Sequence, residues 1–195
     1  MENNTNEKNS TTENIKSNMS MTKRLVGTAV FSALAYAVSF LEFPIFPATP
    51  FLKLDFSAVF IALAAFIFGW QYGVTACAVK ELIAFITKSS TGGVGEIANF
   101  LVITGYIIIP AVVYGYKKGF KTVIITLVIG CIVQVGLSML VNRFINFPLY
   151  MGNGATAFFN KVWYFILLFN LIKSVAISVA TLLVYKRISG FIKSI

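Results

Sequence analysis

The chain has 195 residues, of which 57% are hydrophobic and 12% charged, with a formal net charge of +9. Soluble domains carry about a quarter charged residues, so this composition excludes an ordinary globule and predicts an all-α, polytopic integral membrane protein. The basic excess falls between apolar runs, where it reads as membrane topology and not as a nucleic-acid surface. The chain has no histidine, its two cysteines (Cys77 and Cys131) sit apart in apolar runs, and no G-x-x-x-x-G-K-[ST] stretch occurs. It therefore offers no metal centre, no thiol–imidazole pair and no P-loop, and no enzymatic activity is expected.

Residues 1–20, MENNTNEKNSTTENIKSNMS, are polar and lack the apolar centre of a signal peptide. They read as a disordered cytoplasmic tail ahead of a six-helix membrane domain at 21–195. Spans are expected near 23–41, 55–70, 71–88, 96–116, 121–145 and 162–186, since a span needs about 20 mostly apolar residues. The second and third are joined by FGWQYG, in which Gly69 and Gly73 permit a tight turn. With the N-terminus inside, the inner segments hold Lys8, Lys16, Lys23, Arg24, Lys117, Lys118, Lys121, Lys186, Arg187 and Lys193. The outer edge holds Lys53, Lys88, Arg143 and Lys161. This bias predicts a multi-pass protein of the cell membrane with both termini cytoplasmic.

Span one carries AVFSALAYA, in which Ala29, Ala33 and Ala37 recur every four residues. A small-residue face lets another helix approach closely, either within the bundle or from a separate membrane subunit. The loop that follows, FPIFPATPFLKLDFS (43–57), holds three prolines that no regular helix accommodates. It is too aromatic for a plain connector. It reads as an extracellular lid, with Phe43, Phe46, Phe51, Leu52 and Leu54 as its apolar walls. Asp55 precedes span two and is expected to cap it, with anchoring of the loop as a second role. Lys80 and Glu81 are adjacent in span three and should not face each other, so each fits either an interhelical pair or a site. Span four opens with VGEIANF, which puts Glu96 and Asn99 on one helix face. In span five Gln134, Ser138 and Asn142 form a polar stripe. In span six FNLIKS puts Asn170 and Lys173 on one face. Ionisable groups at membrane depth cost roughly 2.5–3.5 kcal/mol each on insertion scales. Their convergence beneath an aromatic loop points to a ligand pocket, against the plainer reading of interhelical hydrogen bonds.

Four stretches, PFLKLDFS after span one, GGVGEIANFL opening span four, NRFINFPLY ending span five and FNLIKS in span six, occur in order. Together the chain resembles the substrate-binding S components of energy-coupling factor (ECF) vitamin transporters, specifically the riboflavin-binding kind, over essentially all of 21–193. The resemblance implies a six-helix membrane protein that binds one vitamin near the outer face, under a loop that closes after helix one. It implies partnership with a transmembrane coupling protein and two cytoplasmic ATPases, which use the ATP; the chain itself needs no cofactor. It assigns substrate contacts to Glu96, Asn142, Asn170 and Lys173, and coupling-protein docking to Ala29, Ala33 and Ala37. Riboflavin is the implied ligand, with FMN as a further candidate. Two departures, Glu81 after Lys80 and Ala58 after DFS, touch the anchoring of the loop more than the pocket. The flavin's flat ring, with its carbonyl and N–H edges, suits aromatic walls with a few amides and charges. Two alternatives stay open: the same architecture for another vitamin or precursor, such as pantothenate or a pyrimidine, and an autonomous carrier. The carrier would show an internal repeat with broken midplane helices, and 23–88 does not repeat in 96–186.

Overall fold

The computed structural model describes residues 19–194, with side chains to Arg187. The expected disordered tail lies almost wholly outside the described residues. Helix α1 (Met21–Val38) starts where Ser20 Oγ accepts the Lys23 N–H, an N-cap that supplies one missing partner of the first turn. The proline-rich loop follows and is more ordered than a bare connector. Within it, β1 (Phe43–Pro44) pairs antiparallel with β2 (Lys53–Leu54), Phe43 opposite Leu54. This two-residue ladder is the one departure from all-helical structure among the described residues.

Helix α2 (Ser57–Phe68) is almost wholly buried and touches α1, α3 and α4, and the last long helix as well. Its twelve residues reach about 18 Å at 1.5 Å per residue. That is shorter than the span expected at 55–70. Gly69, at φ 109°, breaks it from α3 (Trp70–Lys88), a conformation that glycine adopts without strain. Gly73, expected to share that turn, lies inside α3. A Cβ there would stand 2.4 Å from the Ala65 Cβ, so its role is close approach of α2 and α3.

Helix α4 (Val94–Tyr116) begins after Gly92 and Gly93, both at positive φ. Helix α5 (Phe120–Val141) passes into a wide π turn (Asn142–Asn146) and then a short helix, α6 (Phe147–Met151). After a single turn at Gly152–Gly154, α7 runs from Ala155 to Ser194. The stretch NFPLYMGNGATAFFN, which falls between the spans expected at 121–145 and 162–186, is largely helical. Pro148 falls in the first turn of α6, where its missing N–H would have had no partner anyway.

Each of the six apolar stretches is thus helical. By length and apolarity two described stretches are able to cross a membrane, Val94–Tyr116 and the run Phe120–Arg187 that contains α5 to α7. One apolar core joins residues of α2, α4, α5 and α7, among them Ile61, Leu63, Ile103, Ile107, Leu127 and Ile177. Tyrosine hydroxyls cross-link α4 to α7, with Tyr106 on Ser178 at 2.8 Å and Tyr114 on Tyr185 at 3.0 Å. Cys77 is fully buried, and Cys131 packs its sulfur 3.2 Å from the Ser178 hydroxyl; both are free thiols.

Candidate ligand-binding site

At the end of the bundle that carries the 43–57 loop, one cavity of about 280 Å³ opens between α3, α4, α5 and α7. Glu96 and Asn99 reach it from the start of α4, Ser138 and Asn142 from the end of α5, and Asn170 and Lys173 from α7. Phe51, Leu52 and Asp55 reach it from the loop, and Lys80 and Glu81 from α3. The stripes at helical spacing therefore converge because the helices that carry them surround one space.

The polar groups hold one another in place. Asp55 Oδ1 accepts the Ser57 N–H at 2.8 Å, closing the turn into α2. Its other oxygen lies 3.3 Å from Lys173 Nζ. Asp55 is therefore not the N-cap, a position held by Phe56; it closes the turn just before α2 and ties the loop's end to α7. Lys80 Nζ contacts Glu81 Oε1 at 2.8 Å. This corrects the expectation that adjacent helical residues find separate partners. The long lysine stem curls back over its own helix, which brings two buried opposite charges into contact. The same Glu81 oxygen also accepts the Asn99 side-chain N–H. Glu96 accepts from the Thr91 hydroxyl at 2.9 Å. Asn142 donates to the Ser138 carbonyl at 2.8 Å, and Asn170 to the Ile166 carbonyl at 2.9 Å.

At the rim, Lys53 lies 2.8 Å from Glu42, and Lys88 donates to the Ser39 carbonyl at 2.7 Å, joining α3 to the end of α1. The lining carries the acids Glu42, Asp55, Glu81 and Glu96 against Lys53, Lys80, Lys88 and Lys173. With charge balanced and amides interspersed, the site can hold a polar but uncharged molecule by shape and hydrogen bonds.

Of the predicted contacts, Glu96, Asn142, Asn170, Lys173, Phe51 and Leu52 line this cavity. Phe46 and Leu54 do not. The Phe46 ring packs 5.5 Å from Phe165, and Leu54 is buried with Phe159 and Ile166. The hairpin turn carries Phe46 past the cavity onto α7, and Leu54 turns into the apolar cluster behind the ladder. Gln134, the third member of the α5 stripe, is buried away from the lining. Asn99 and Glu81, both visible in the sequence without a firm role, belong to the site. Ala29, Ala33 and Ala37 are all exposed on one face of α1, while Thr28, Ser32 and Ala35 turn inward. None of the three alanines is buried within the bundle.

Among the described residues, the helical bundle encloses a polar cavity with balanced charges and amides, the make-up of a ligand-binding site. The family model described as "ECF transporter, substrate-specific component" matches residues 23–185. The chain is 34% identical over 185 residues to a protein named riboflavin transporter RibU of Staphylococcus aureus (strain TCH60), covering 92% of this chain and 97% of that one. It is 29% identical over 180 residues to riboflavin transporter FmnP of Bacillus subtilis (strain 168), covering 88% of this chain and 94% of that one. Among solved structures, one described as the S component of a bacterial ECF transporter superposes with a TM-score of 0.77. It is 34% identical, and the match covers 89% of this chain and 99% of that chain. The chain belongs to the family of substrate-specific S components of ECF transporters. It is accordingly a membrane protein and a transporter subunit, not an enzyme.

Proposed function

We propose that the chain is the riboflavin-binding subunit of an ECF-type uptake transporter. It captures the vitamin at the outer face and delivers it with a coupling protein and two ATPases. The observation that carries this reading is one cavity lined by Glu96, Asn142, Asn170 and Lys173 beneath Phe51 and Leu52. Relatives named as riboflavin transporters, aligned over nine-tenths of the chain, support the choice of ligand. Phe51 offers a ring face to the isoalloxazine, and the amides and ammonium offer partners to its carbonyls and to the ribityl hydroxyls. The 43–57 hairpin is the lid. Six helices cross the bilayer with both termini cytoplasmic, as the basic bias requires, and the buried α2 is the short one among them. The exposed Ala29, Ala33 and Ala37 form the docking face for the coupling protein, since small side chains allow close helix approach.

The test is binding and transport by the purified chain. It should quench riboflavin fluorescence on binding and copurify yellow. Reconstituted alone, with ATP on either side, it should not concentrate riboflavin. Absence of binding, or robust uphill uptake by this chain alone, would overturn the reading.

A further inference from the structure

The Asn99 amide is held in a single orientation by chemistry alone. Its N–H donates to Glu81 Oε1, and that oxygen also receives Lys80 Nζ at 2.8 Å. A lysine nitrogen paired there can only donate, so the oxygen acts as an acceptor and the –NH₂ end of Asn99 faces it. The carbonyl end is then turned away from Glu81, and Asn99 lines the cavity. Glu81 cannot turn to follow a ligand: it is 6% exposed and bound to Lys80, itself 3% exposed. A flavin carries an imide N–H that can only donate, and hydroxyls that can donate, so a fixed acceptor on the cavity wall has a use.

We propose that Asn99 is a further ligand contact, a hydrogen-bond acceptor for a donor group of the flavin, and that Glu81 is the positioning residue that fixes its orientation. Lys80, which can only donate, occupies the same Glu81 oxygen at 2.8 Å and so keeps it in use as an acceptor. This inference rests on the riboflavin reading above and adds to it a residue pair on α3 and α4.

The experiment is a swap, read by riboflavin fluorescence quenching on monodisperse protein, with thermal unfolding measured in parallel. Asn99→Leu should weaken riboflavin binding at least about fivefold, because the ligand's donor loses its partner. Asn99→Asp alone should also weaken it, since two carboxylates then meet at hydrogen-bond distance. Combining Asn99→Asp with Glu81→Gln exchanges the two functional groups. The glutamine N–H then donates to the aspartate, its carbonyl accepts from Lys80, and an oxygen of residue 99 again faces the ligand. Affinity should return to within about threefold of the wild type. The inference is overturned if Asn99→Leu binds riboflavin as the wild type does, or if the swap is no better than Asn99→Asp alone. It is also overturned if the single variants lose thermal stability with affinity unchanged. Should Asn99→Leu fail to fold, the comparison of Asn99→Asp with the swap decides. A wild-type chain that does not bind riboflavin overturns the functional reading and this inference together; a binding wild type indifferent to residue 99 overturns only the inference.

Discussion

Lys173→Met separates the two roles that the α7 lysine combines. Lys173 Nζ lies 3.3 Å from Asp55 Oδ2, and each side chain is 8% exposed. Judged on bilayer insertion alone, the substitution would be favourable by roughly 2.5–3.5 kcal/mol. That term concerns entry into the membrane. Unfolding in detergent reads the ion pair, and removing one partner of a buried pair costs about 3–5 kcal/mol because the other charge is stranded. Lys173→Met should therefore unfold at markedly lower temperature. Adding Asp55→Asn removes the stranded charge and keeps an oxygen for the Ser57 N–H, a bond of 2.8 Å in the wild type. Replacing both partners of a buried pair is often neutral, so the double variant should recover to within about 1 kcal/mol. Affinity should not recover. A ligand hydrogen bond to a charged group is worth about 1.5–3 kcal/mol, or roughly a 10- to 150-fold change in dissociation constant. A thiol-reactive dye reports unfolding, because Cys77 is fully buried, and flavin fluorescence reports binding. If the double variant were no more stable than the single, the ion pair would not hold the loop's end to α7. If it bound riboflavin as tightly as the wild type, Lys173 would be a structural residue only.

Ala33→Trp should leave flavin affinity nearly unchanged and abolish cellular uptake, since residue 33 is exposed on α1 and bulk there blocks helix approach; equal loss of binding would refute the docking role. Gly73→Val should cost about 1–3 kcal/mol in thermal unfolding, because even a Cβ would sit 2.4 Å from that of Ala65 and 3.0 Å from its Cα; unchanged stability would mean that α2 and α3 separate freely. Phe51→Ala should speed flavin release in stopped-flow measurements far more than Phe46→Ala, since Phe51 lines the cavity whereas Phe46 packs on Phe165. Equal effects would show that both rings act only through the stability of the loop.

Helix positions and the polar set were legible in the sequence because both rest on local periodicity. Apolar runs longer than about 17 residues announce long helices, and i, i+3 and i, i+4 spacings put Asn170 with Lys173 and Ser138 with Asn142 whatever surrounds them. Helix endings were less legible where a breaker residue had a tolerated position: Pro148 stands in a first turn, so the connection between the fifth and sixth expected spans is largely helical. Which polar faces meet was decided by tertiary packing. The Lys173–Asp55 pair joins residues 118 positions apart, and no spacing rule connects them. Lys80 and Glu81 pair at 2.8 Å because contact between opposite charges is strongly favoured in a buried, low-dielectric setting, which overrides their divergent directions on the helix. Phe46 and Phe51 are both aromatic loop residues in the sequence; the fold of the short hairpin alone sends one to α7 and the other to the cavity. Likewise the alanine ladder has the same spacing whether it faces inward or outward, and only the arrangement of the helices around α1 leaves Ala29, Ala33 and Ala37 uncovered.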